Sequence, residues 1–323
     1  MPIHNLGYRE WEGERLSGGS RWTVVAGIGI QRAWQNMWLR RIAFVVWAAP
    51  LMYGILIFLG EQYLSNPSAV IPPNSDRLLA QFLPAEAMPE IRDTLANLDT
   101  MNPEERLTIV RPVLWKAVLL ALQRSQMLGL VLVIGLVAPP LISTDVRSRA
   151  FLLYFSRPLT RFQYIFGKFM TVATFVSLVL LLPQLLLYLF AVLLSPDISV
   201  VAHTWDLPLR CVVMFIAVAT PAILLALMLS SLTVETRFAT FGWFAIWIFG
   251  LVAFTVMINA SQDVSSIILR LGVLFLLFGD VAVNVLGFSV GGSNFDVQTI
   301  FVVALSAICA AVIFRQVSAP MKA

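Results

Sequence analysis

Six long apolar runs, at residues 42–60, 118–142, 169–194, 209–230, 240–258 and 298–314, constrain this chain more than any other feature. Each approaches or exceeds the ~20 residues a helix needs to cross a bilayer. In lipid the backbone must satisfy its own hydrogen bonds, so runs of this kind fold as helices. The expected fold is therefore all-α, a polytopic membrane protein with six transmembrane helices. Composition agrees: of 323 residues 59% are hydrophobic and 12% charged, about half the ~25% charge of a soluble domain. That excludes a soluble enzyme, a disordered chain and a disulfide-rich secreted module.

A seventh apolar stretch, 267–288, is interrupted by Arg270, Asp280 and Asn284. A charge at mid-depth costs ~2.5–3.5 kcal/mol on insertion scales. This stretch is expected to form a re-entrant or interfacial segment before the sixth span, within an extracytoplasmic region at 259–297. No cleavable leader is read in the first 40 residues, so the N-terminus is expected in the cytosol.

With six spans both termini lie on one side, and charge tests which. The cytosolic segments would carry Arg9, Arg15, Arg21, Arg32, Arg40, Arg41, Arg147, Arg149, Arg157, Arg161, Lys168, Arg237, Arg315 and Lys322, against Glu10, Glu12, Glu14, Asp145 and Glu235. That excess of cations matches the positive-inside rule. The overall charge of +4 is too small to imply a nucleic-acid partner; the implied partner of the surface is the lipid bilayer.

The chain divides into a cytosolic N-terminus (1–41) and a transmembrane domain (42–323). Within 1–41, Ile30, Ala33, Trp34, Met37 and Trp38 recur at helical spacing, with Arg32, Gln35, Asn36 and Arg40 opposite. This predicts an amphipathic helix in the membrane interface, serving either as a simple anchor or as an elbow that meets a cytosolic partner. Between the first two spans, 61–116 is the one long polar insertion. Asn102-Pro103-Glu104-Glu105 reads as a helix start there, and another helix is expected over 75–82, giving a small helical extracytoplasmic cap.

Cys211 and Cys309 sit in apolar runs and His4 and His203 stand apart, so no disulfide, redox or metal site is expected. No clustered nucleophile, base and acid are found, which argues against a membrane-embedded enzyme.

The cytosolic loop at 143–168 reads STDVRSRAFLLYFSRPLTRFQYIFGK. Asp145 and Arg149 are spaced to pair on a helix face, with Arg147 adding charge. Phe151, Tyr154 and Phe155 form an aromatic knob, Pro158 breaks the segment, and Thr160-Arg161-Phe162-Gln163 is a capping box that starts the next helix. Lys168 is placed to snorkel from the third span. An exposed helix with an aromatic knob suits a groove on another protein; the plainer reading is ordinary cationic loop chemistry with interfacial aromatics.

The loop resembles that of type-2 ABC transporter permeases, an exporter-type family. The resemblance is carried by Asp145, Arg147 and Arg149, the run 152–155, Ser156-Arg157-Pro158-Leu159 and Gly167-Lys168-Phe169. Many relatives carry glutamates where this chain has Ser143-Thr144-Asp145, which leaves the acidic role to Asp145 alone.

The resemblance implies a permease subunit whose 143–168 loop is the coupling helix, docked in a separate ATP-binding cassette subunit. The implied contacts are Thr144, Asp145, Val146, Arg147, Ser148, Arg149, Phe151, Tyr154, Phe155 and Arg157, with Glu235 and Arg237 of the second cytosolic loop secondary. It also implies a second permease copy, as homodimer or related heterodimer, in a bacterial inner membrane.

The chain has no GxxxxGK[ST] phosphate-binding loop. It is expected to hold no cofactor itself, with ATP and Mg on the partner. The alternatives are an ion-coupled secondary transporter or channel, which the scarcity of mid-span charges disfavours, and a non-transporting assembly subunit.

Overall fold

A computed structural model describes residues 20–65, 81–96, 106–150, 159–195, 200–260, 273–288 and 295–318. Among them regular structure is entirely helical. In chain order the helices are α1 (Arg21–Trp34), α2 (Met37–Val46), α3 (Ala48–Ser65), α4 (Met88–Ala96), α5 (Arg111–Val137), α6 (Pro139–Arg147), α7 (Arg161–Val176), α8 (Leu182–Leu194), α9 (Val200–Thr204), α10 (Asp206–Leu232), α11 (Thr236–Ala260), α12 (Leu274–Leu286) and α13 (Phe295–Ser318). Short π-helical turns, Arg106–Val110 and Ser177–Leu181, lead into α5 and join α7 to α8.

Among the described residues six helical stretches are long and apolar enough to cross a membrane: Met37–Gln62, Thr108–Arg147, Arg161–Leu194, Val200–Leu232, Thr236–Ala253 and Val297–Ser318. They overlap the six apolar runs one for one. The second is the central post: 72% of its most apolar window is buried, against 22% in the first, 17% in the fifth and 22% in the sixth. Glycines on α5 let its neighbours close in. A Cβ on Gly129 would lie 2.6 Å from Val46, and one on Gly135 would lie 2.6 Å from Phe244. Ser125 and Leu128 are the only exposed side chains of α5.

The central post runs through a Pro-Pro pair. Pro139 and Pro140 open α6, where their missing N–H groups leave no orphan donor. The Ser230 hydroxyl of α10 steps into the junction, accepting from the N–H of Ile142 (3.1 Å) and Ser143 (3.0 Å) and donating to the Pro139 carbonyl (2.6 Å). The short helix expected at the start of the 143–168 loop is thus continuous with the second span, and it ends at Arg147.

The expected single amphipathic helix is two helices. Asn36 breaks it by capping α2, its Oδ1 accepting from the Trp38 N–H at 3.0 Å, the role for which short polar side chains are favoured at helix starts. Helix α1 then runs parallel to α7. Trp22 meets Phe166 (ring centroids 4.9 Å) and Trp34 stacks on Phe175 (5.9 Å). Between these contacts Gly29 faces Thr171 and Gly167 faces Val25. Trp38 stays 62% exposed.

Helix α12 spans about 20 Å at 1.5 Å per residue, short of the ~30 Å hydrocarbon core. It is buried on most of its surface. Its Asp280 accepts from Gln298 Nε2 (3.2 Å), and Asn284 donates to Gln298 Oε1 (2.9 Å). Gly287 ends the helix at φ +89°, with its N–H on the Asn284 carbonyl and that of Phe288 on Val283.

Of the polar insertion, α4 packs Ile91 and Met88 inward, and Glu86 pairs with Arg124 of α5 at 2.7 Å. The helix start at Asn102-Pro103 and most of the expected 75–82 helix lie outside the described residues.

Candidate functional site

Of the 143–168 loop, residues 143–150 and 159–168 are described, and they fall at one end of the bundle. Arg161 Nη1 donates to Ser318 Oγ at 2.8 Å there, which brings the ends of α13 and α7 together. The Thr160 capping box forms on both sides: Thr160 Oγ1 accepts from Gln163 N–H at 3.2 Å, and Gln163 Oε1 accepts from Thr160 N–H at 3.1 Å.

Asp145 faces inward. Lys168 Nζ of α7 lies 2.7 Å from its Oδ2, and Tyr164 Oη donates to the same oxygen at 2.7 Å. The ammonium also sits 5.3 Å from the Tyr164 ring centroid. Both charged side chains are about a tenth exposed. This cluster ties the end of α6 to the start of α7, and Asp145 and Lys168 are turned into the bundle rather than outward. The expected Asp145–Arg149 pair does not form, because α6 has already ended and Asp145 has turned to α7. Lys168, expected to snorkel outward, is instead buried against that carboxylate.

The helix ends through an αL turn on a residue without the usual glycine. Arg149 sits at φ +52°, its N–H on the Val146 carbonyl (3.2 Å), while the Ala150 N–H reaches the Asp145 carbonyl (3.0 Å). A non-glycine in this conformation costs ~1 kcal/mol. Arg149→Gly is therefore expected to raise thermal stability in detergent by about that amount. An unchanged or lowered melting point would show that the guanidinium makes a compensating contact.

Thr144 is half-buried and donates to the Pro140 carbonyl (2.5 Å); Val146 packs against the core; Ser148 donates to the Thr144 carbonyl (2.8 Å). The exposed members are Arg147, Ser148 and Arg149. Arg147 Nη1 reaches Glu235 Oε2 at 3.8 Å, with side chains 67% and 41% exposed. Beneath it Ser143 Oγ and Thr236 Oγ1 hydrogen-bond at 2.9 Å. The two segments read separately in the sequence thus form one platform. It continues over exposed Val234, Arg237 and Phe238, with the Arg237 guanidinium 5.3 Å from the Phe238 ring centroid. Phe151, Tyr154, Phe155 and Arg157 lie outside the described residues.

No protein-family model matches the chain, and no curated protein matches it. What bears on function is therefore the chemistry of this end of the bundle. Among the described residues no three His, Cys, Asp or Glu side chains gather to hold a metal; Cys211 and Cys309 are buried free thiols. Sequence reasoning missed Tyr164, Ser230 and the Arg147–Glu235 bridge, each formed between helices distant in sequence. It did single out Gly167-Lys168. Gly167 admits α1, since a Cβ there would lie 2.9 Å from the Trp22 carbonyl oxygen, and Lys168 closes on Asp145.

Proposed function

We propose that this chain is the membrane-spanning permease subunit of an ABC-type exporter. A separate ATP-binding cassette subunit, carrying ATP and Mg, docks on the platform formed by Arg147, Ser148, Arg149 and the Glu235–Arg237 turn. One observation carries the reading: α6 carries on one side an exposed charged surface shared with the Glu235–Arg237 turn, and on another the buried Asp145–Lys168–Tyr164 cluster that ties it to α7. A load applied to the surface passes through that cluster into the second and third spans. The chain contributes the pathway and its partner the hydrolysis.

The finer topology follows from the same proposal. The platform end is cytoplasmic, along with both termini, in a bacterial inner membrane; α4 belongs to an extracytoplasmic cap, α1 and α2 form an interfacial elbow, and α12 is a re-entrant helix. The weakly buried first and fifth spans, with exposed Leu128 between them on α5, support a dimer with a second permease copy across that face. Gln123 and Trp243 are fully buried within the protomer, so they are not offered to the space between copies.

A second reading, ion-coupled transport, draws on the buried Asp280 carboxylate among Asn284 and Gln298. Copurification separates the two. The tagged chain, isolated from its own host in mild detergent, is expected to bring down a subunit bearing a phosphate-binding loop, and Arg147→Glu is expected to weaken that association. Isolation with no such subunit, under conditions that preserve the fold, would favour the ion-coupled reading.

A further inference from the structure

A cavity of about 530 Å³ opens between α1, the start of α2 and the α5–α6 junction. Such a volume suits a ligand of ordinary small-molecule size. Its α1 wall is one stripe at helical spacing: Arg21, Val24, Ile28 and Arg32, with Leu39 and Leu136 facing it. An apolar floor is thus bracketed by two guanidiniums about 16 Å apart along the helix. Lys168 and Asp145 also line the cavity but neutralise each other at 2.7 Å. Arg32 is exposed and takes part in none of the ion pairs among the described residues, so it leaves positive charge in the lining.

We infer that this cavity binds an anionic phospholipid, its phosphate at Arg32 and its acyl chains over Val24, Ile28 and Leu136. The occupant is identified by charge complementarity and by setting. Beside the cavity α2 exposes Met37, Trp38, Arg40 and Arg41, with the Arg41 guanidinium 5.5 Å from the Trp38 ring centroid. Tryptophan and arginine together mark headgroup depth, and basic pockets between helices at a cytoplasmic face select anionic headgroups. The inference rests on the orientation proposed above. Because Asp145 and Lys168 form one wall, a bound lipid would pack against the cluster that joins α6 to α7.

Native mass spectrometry of the purified full chain tests it, with dioleoyl phosphatidylglycerol or dioleoyl phosphatidylcholine added to the detergent. Preferential retention of phosphatidylglycerol is expected, with affinity reduced at least about tenfold in Arg32→Glu. Ile28→Trp, which fills the cavity without changing charge, should reduce it as well, whereas Arg315→Glu, an exposed arginine outside the cavity, should not. Thermal unfolding of each variant checks that it is folded; Arg32→Gln replaces the reversal if that variant is not. Equal retention of the two lipids would overturn the inference, as would a preference that Arg32→Glu and Ile28→Trp leave intact. The measurement needs no ATP-binding subunit, so its failure is distinct from failure of the transporter assignment.

Discussion

Lys168→Met is expected to destabilise the bundle by about 3–5 kcal/mol, the usual cost of leaving one member of a buried ion pair without its partner. The Asp145 carboxylate would keep only the Tyr164 hydroxyl, in a site where both charged side chains are about a tenth exposed. In mild detergent the loss should read as a fall in the unfolding midpoint on the order of 10 °C. Adding Asp145→Asn should recover most of it, because the stranded charge goes while an acceptor for Tyr164 remains. A single variant as stable as the parent would mean that the pair does not hold α6 to α7. Substitution at Asp145 thus reports on the fold. Docking is tested at Arg147, which is 67% exposed and, among the described residues, pairs with Glu235, itself 41% exposed.

Gly167→Leu is expected to part α1 from α7. Any side chain at this position begins 2.7 Å from Val25 Cβ and 2.9 Å from the Trp22 carbonyl oxygen, and backbone cannot step aside as a side-chain tip can. Overpacking of this kind costs about 1–3 kcal/mol, and a leucine should exceed what α1 can absorb in place. Limited proteolysis should then cut within or near Arg21–Trp34 in the variant and spare the parent. Gly27→Ala supplies the control on the same helix, since a Cβ there meets nothing within 4 Å; it should be neutral or gain up to ~1 kcal/mol of helix propensity. Equal protection of Gly167→Leu and Gly27→Ala would contradict the packing of α1 on α7.

The spans were legible because lipid imposes a rule that sequence displays directly: each crossing needs one long apolar run. The start of α7 was legible for a local reason, since Thr160 and Gln163 satisfy each other's backbone donors within one turn. The run 118–142 already passes through Pro139-Pro140, and the helix does continue there. What no local pattern displays is how the junction is sealed, by the Ser230 hydroxyl of another helix.

The sequence makes Asp145 conspicuous, but its spacing does not reveal its neighbours. Spacing along one helix pointed to Arg149, whereas the αL turn at Arg149 closes α6 and leaves the carboxylate to Lys168 and Tyr164. The joining of Arg147 to Glu235 likewise depends on how α6 packs beside α10 and α11, which no local pattern encodes.

The most direct test of the docking platform is site-specific photo-crosslinking in cells. A photoreactive side chain replacing Arg147 or Val234 should form an adduct with an ATP-binding subunit, one whose yield changes when nucleotide is trapped on that subunit. The same group at Leu59, exposed toward the opposite end of the bundle where Gly60 meets Leu114, should form none. Adducts at both platform positions with Leu59 silent are the predicted result. A folded, membrane-inserted chain that crosslinks to no nucleotide-binding protein from either platform position, or that does so equally from Leu59, would contradict it.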